Sequence, residues 1–110
     1  MGSGSYCNSE CFFDMNDDIV IGRNVSIGMR CIFITTSHEI GSPNKRAGKT
    51  KSAPIKVEDG CWIGADTAIL SGVTIGAGAV VGAGSLITHD LEPNGLYYGR
   101  PAKLVRRLDN

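Results

Sequence analysis

Two histidines, His38 and His89, and four cysteines, Cys7, Cys11, Cys31 and Cys61, are the side chains of this 110-residue chain most able to carry acid–base, nucleophilic or metal chemistry. Histidine ordinarily titrates nearest neutrality, so it can serve as a general base at cellular pH without strong tuning. Catalytic zinc normally takes three protein ligands. Two histidines fall short of that, and a cysteine would have to complete the set. Asn8, Ser9 and Glu10 separate Cys7 from Cys11, a spacing that is neither a zinc knuckle nor a redox pair. Cys31 and Cys61 read as small apolar fillers. No metal is therefore expected, and the chemistry most open to the chain is proton transfer at a histidine.

Charge narrows the partners. Eleven basic and eleven acidic residues leave zero formal charge at pH 7, which supplies no global attraction for nucleic acid or an anionic membrane. Any anion site must be local, and Arg100, Lys103, Arg106 and Arg107 make such a basic cluster on what reads as a short C-terminal tail. No apolar run approaches the ~18 residues of a membrane span. No basic segment followed by an apolar stretch opens the chain, so a cytoplasmic setting is expected. Gly2 to Ser5 reads equally as an added leader or as the close of a preceding coil. A hydrophobic share of 42% is normal for a globular chain, and the length suits a single domain over 1–110 with room for about five coils.

The elements that must position these side chains follow from a period of six. Val57, Ile63, Ile69, Ile75, Val81 and Ile87 recur at that interval, and a small or slim residue stands four places after each of the first five: Cys61, Thr67, Val73, Ala79 and Ser85. Gly64, Gly76 and Gly82 follow their apolar residues directly. Upstream the same frame gives Met15, Ile21, Ile27 and Phe33, with Ile19, Val25, Cys31 and Ser37 four later. A period of six keeps no face of a 3.6-residue turn apolar, which excludes a helix. It is the mark of a parallel β-helix, an all-β solenoid whose coils stack about 4.8 Å apart. Three hexapeptides make one coil, the leading residue points into the bore, and glycines relieve the corners.

The frame fails between Phe33 and Val57. From Glu39 to Pro54 the composition turns to Gly, Ser, Pro and Lys without periodicity, which predicts a loop leaving the coil as an arm. Insertions at solenoid corners commonly build the binding face. His38 falls at the last position of its hexapeptide, just before that departure.

Four blocks, "IVIGRNVSIG", "TTSHEI", "CWIGADTAILSGVTIGAGAVVGAGSLITHDLEPN" and "YYGRPAKLVRRL", together resemble the left-handed β-helix acyltransferases, most of all the maltose, galactoside, colanic-acid and capsule O-acetyltransferase branch. The resemblance covers nearly the whole chain. It implies a left-handed coil, a homotrimer with sites between subunits, and direct acetyl transfer from acetyl-CoA to a hydroxyl of a sugar or glycan precursor. His38 matches the family's catalytic histidine, the general base. Asn8 and Asp14 match the acceptor-binding pair, though their spacing is one residue shorter, and they read equally as turn-favouring corner residues. Trp62, Ala65, Ala83, Thr88, Lys103 and Arg106 match the CoA contacts, with Trp62 open to a second reading as a core plug. His89 falls where lysine is usual in the family. Glu39 neighbours His38, but adjacent side chains on an extended segment point apart, which argues against its orienting the ring.

Three rivals remain from the sequence. The γ-class carbonic anhydrases share the fold but hold zinc with three histidines, one more than this chain has. A coil that kept its shape and lost chemistry would serve as a scaffold; the retained His38 and the basic arm argue against it. Transfer to the amine of an amino sugar differs from O-acetylation only in the acceptor.

Overall fold

The computed structural model describes residues 1–109, and the chain there forms short strands joined by tight corners, with no helix. The strands stack into three parallel faces. The first carries Tyr6–Cys7, Ser26–Ile27, Trp62–Ile63, Val80–Val81 and Gly95–Gly99; the second carries Phe12–Asp14, Ile32–Ile34, Ala68–Ile69 and Leu86–Ile87. The third carries Ile19–Ile21, Ile55–Val57 and Thr74–Ile75, extended by a bridge from Ile75 to Leu91. Trp62 pairs with Val80 and Ala68 with Leu86, so residues eighteen apart stack as three hexapeptides per coil require.

The leading residues fill the bore. Ile27, Phe33, Ile63, Ile69, Ile75 and Ile87 are fully buried, each worth about 1.5–3 kcal/mol relative to exposure. The positions four later are buried at Val25, Cys31, Cys61, Thr67, Val73, Ala79 and Ser85. A hydroxyl is tolerated there because it donates backwards: Thr67 Oγ1 to the Gly64 carbonyl at 2.8 Å, and Ser85 Oγ to the Gly82 carbonyl at 2.7 Å. Among the described residues no buried side-chain polar atom lacks a partner.

The glycines divide into two kinds. Gly64 does not sit at a strained corner; a Cβ there would lie 2.6 Å from the Ala83 nitrogen and 2.8 Å from the Val81 oxygen, so the next coil excludes a side chain. The left-handed corners fall elsewhere in the repeat, at Gly60, Gly72, Gly78 and Gly84, and at Asn24, Arg30 and Asp66 in the same role. The expectation that the glycine after each apolar residue relieves the corner is corrected in this respect.

Four further expectations change. Met15 is 65% exposed and leads no hexapeptide. The first coil is longer, Phe13 pairs with Phe33 twenty residues on, and their rings stack at 4.7 Å. Ser37 is outside the core, and Thr35 is the buried residue at that corner. The arm is a two-stranded antiparallel ribbon, Thr36–Ile40 against Ala47–Ser52, rather than a loop over 39–54. The basic C-terminal segment is the strand Ala102–Arg107, folded back antiparallel on Gly95–Gly99.

Candidate active site

His38 lies inside the outgoing strand of the arm, not at the end of a hexapeptide on the coil. The arm springs from the corner between the second and third faces, and that root is tied down on several sides. Asp14 Oδ2 accepts hydrogen bonds from the backbone N–H of Thr35 (3.1 Å) and of Thr36 (3.0 Å). Asn16 Nδ2 donates to Thr36 Oγ1 at 2.7 Å, and Ser52 Oγ donates to Asp17 Oδ2 at 3.0 Å. The hydrogen bond from the Thr36 side chain, ahead of the backbone donors, holds the Asp14 carboxyl below its usual range.

The imidazole is exposed, and its Nδ1 lies 3.0 Å from the Gly48 carbonyl oxygen on the returning strand. A carbonyl only accepts, so Nδ1 carries the proton and Nε2 is left as the acceptor. Gly48 allows the strands to come this close: a Cβ there would meet the Glu39 carbonyl oxygen at 2.8 Å. Glu39 is exposed and plays no part in orienting the ring.

The remaining candidates fall into two groups on the single chain. Trp62 is 60% exposed on the first face, which removes the core-plug reading. Ala65 and Ala83 stack one coil apart at the corner between the first and second faces, where the Gly84 N–H donates to the Ala65 carbonyl. Lys103 and Arg106 sit on the terminal strand opposite Tyr98 and Leu96, beside that same first face. Thr88 lies across the second face from these, at the corner from which the arm springs, with its Oγ1 3.0 Å from His89 Nδ1. Asp14 shares that side with His38. Asn8 does not: it stands at the first corner of the lowest coil, its Oδ1 accepting from the Ser9 N–H at 2.8 Å. The chain thus brings Asp14, His38 and Thr88 to one corner, and Trp62, Ala65, Ala83, Lys103 and Arg106 with Asn8 to the other.

The thiols stand apart from both groups. Burial pushes Cys31 and Cys61 upward, and burial together with the Cys11 thiol pushes Cys7 up to about 12. Protonated thiols are poor nucleophiles and poor ligands. Among the described residues no cluster of His, Cys, Asp or Glu is placed to hold a metal ion, no pocket is enclosed by the single chain, and no helix is long and apolar enough to cross a membrane. What sequence reasoning missed is the Gly48 carbonyl, a backbone atom that no residue identity announces.

Residues 54–89 match the bacterial transferase hexapeptide family (six repeats). A Staphylococcus aureus (strain MRSA252) protein bearing an acetyltransferase name is 42% identical over 110 residues, all of this chain and 55% of its own length. The crystal structure of a maltose O-acetyltransferase from Clostridium difficile 630 superposes with a TM-score of 0.93 at 32% identity, over 99% of this chain and 58% of that one. A hexapeptide-repeat containing acetyltransferase from Vibrio cholerae O1 biovar eltor, complexed with acetyl-CoA, superposes with a TM-score of 0.79 at 32% identity, over 100% of this chain and 71% of that one. The chain spans about half the length of the Staphylococcus relative. Its repeat, its left-handed coil and these likenesses agree: the chain belongs to the hexapeptide-repeat transferase family.

Proposed function

We propose that this chain is an acetyl-CoA-dependent O-acetyltransferase acting on a hydroxyl of a sugar or glycan precursor, with His38 as general base. The observation that carries the reading is the 3.0 Å contact of His38 Nδ1 with the Gly48 carbonyl, which leaves Nε2 aimed outward as an acceptor on an arm fixed at its root. Nε2 takes the acceptor's hydroxyl proton as its oxygen forms a bond to the thioester carbonyl carbon. The carbon–sulfur bond then breaks, and the imidazolium returns the proton to the departing thiolate. Acceptor and acetyl-CoA become acetyl ester and free CoA, with atoms and charge balanced.

The division of candidates between two corners supports a homotrimer with sites between subunits. His38, Thr88 and Asp14 of one chain would meet the Trp62, Ala65, Ala83, Lys103 and Arg106 side of a neighbour, and Asn8 would reach the acceptor from that neighbour too. The small residues let a thin pantetheine arm lie along the backbone, and Lys103 with Arg106 offers charge-assisted contacts to the CoA phosphates. Four free cysteines fit a reducing, cytoplasmic setting.

Acceptor-dependent release of free thiol from acetyl-CoA tests the reading. His38→Ala should lower turnover by roughly 10²–10⁴-fold while CoA binding, measured by calorimetry, persists. Undiminished turnover in His38→Ala would sink the assignment.

A further inference from the structure

Residues directly opposite one another in an antiparallel ribbon project to the same side, and alternate residues project to the other. In the arm His38 faces Thr50, Thr36 faces Ser52, and Ser37 faces Lys51. The side that carries His38 therefore carries the hydroxyls of Thr36, Thr50 and Ser52. Ser37 and Lys51 belong to the reverse side, and the register shifts between His38 and Ile40. The cations nearer the tip are engaged with backbone, Lys45 Nζ with the Ala47 carbonyl and Arg46 Nη1 with the Gly41 carbonyl, both at 3.1 Å.

Two of the three hydroxyls beside His38 are committed. Thr36 Oγ1 accepts from Asn16, and Ser52 Oγ donates to Asp17. Thr50 is exposed, and among the described residues its hydroxyl has no such bond. Directly opposite Cβ atoms lie about 4.5–5.5 Å apart, close enough for the two side chains to meet neighbouring hydroxyls of one polyol.

We propose that Thr50 is a specificity-determining acceptor contact: its Oγ1 hydrogen-bonds the hydroxyl next to the one that His38 deprotonates, so the acceptor presents a vicinal diol. The inference rests on the transferase reading above and adds to it a second contact.

The test is steady-state thiol release with the methyl glycosides of glucose, galactose and mannose, and the monodeoxy analogues of whichever is acetylated. Thr50→Val keeps the shape and removes the hydroxyl. It should raise KM for the diol roughly 2- to 12-fold, the range of one neutral hydrogen bond, and leave KM for acetyl-CoA unchanged. Thr50→Ser should restore the parent value. The analogue lacking the neighbouring hydroxyl should be equally poor with parent and Thr50→Val. Equal sensitivity of diol and deoxy analogue to Thr50→Val, or no sensitivity in either, overturns this assignment and leaves the transferase reading standing. Absence of acceptor-dependent release from the parent overturns both.

Discussion

Replacing Gly64 by alanine should be among the more damaging single-methyl changes open to this chain, and the reason is geometric. The new Cβ would lie 2.6 Å from the Ala83 nitrogen, 2.8 Å from the Val81 oxygen and 2.9 Å from the Ala83 Cα. All three are backbone atoms of the next coil, so no side chain can swing aside. Relieving the contact to ordinary van der Waals distance requires the coils to part by about 0.8 Å at that corner. The Gly64 N–H bond to the Val81 carbonyl and the Gly84 N–H bond to the Ala65 carbonyl, both 2.8 Å, would then stretch past useful range. Overpacking of about 1–3 kcal/mol with one or two weakened bonds of about 0.5–1.5 kcal/mol each gives a loss of about 1.5–6 kcal/mol. Gly84→Ala is the control. It has a positive φ of 75° but nothing within 4 Å of its would-be Cβ, so only the conformational term of about 1–2 kcal/mol applies. Urea unfolding followed by far-UV circular dichroism should rank Gly64→Ala clearly below Gly84→Ala. Equal losses, or the reverse order, would show that the inter-coil approach is not what excludes a side chain at Gly64.

Two further outcomes follow from the core and from the arm's root. Phe33→Ala empties the fully buried site stacked on Phe13 and should lower the unfolding free energy by about 3–5 kcal/mol in the same urea experiment. Because the folded state holds Asp14 below its usual pKa, it favours the ionised carboxylate, and the stabilisation is full above the ordinary value of about 3.9. It is lost as pH falls through the lower folded value, so protection of the Thr35 and Thr36 amides, taken relative to the intrinsic exchange rate at each pH, should hold at pH 5 and fall only in stronger acid. In Asp14→Ala the loss of protection should already be present at neutral pH, and protection that ignores both acid and substitution would contradict the proposed clasp.

The repeat was legible because one rule, an apolar residue every six, fixes face, coil and stacking together. It misled in the first coil, where counting back by six from Ile21 arrives at Met15. That coil runs two residues longer, and the adjacent Phe12 and Phe13 were the available signal for a core position earlier in the chain. The arm escaped detection for a different reason. Strands are recognised by one buried apolar side, and here hydroxyls stand beside His38, Lys51 on the reverse, and Ile40 near the tip is exposed. Its pairing is held by backbone bonds and by the close approach that Gly48 and Gly41 permit, none of which shows as alternation. His38 could be singled out by residue type and place, but the carbonyl that sets its tautomer could not.

The two-corner arrangement of candidates has its origin in the repeat itself. A solenoid filled by its own leading residues leaves no room inside, and here the bore is occupied from Ile27 to Ile87, so chemistry has to be built on the outside. An outside face is flat and offers a ligand one wall. A base and its reacting carbonyl must approach within about 3–3.5 Å, yet a whole hexapeptide, up to about 20 Å of extended chain, separates the Ala65 and Ala83 column from the corner that bears the His38 arm. An arm long enough to leave the coil and a neighbour's corner to receive it would supply the second wall. On that view the length and rigidity of residues 36–52 set the register between base and thioester, and the tight root at Asp14, Asn16 and Asp17 acts on catalysis by fixing where His38 is carried.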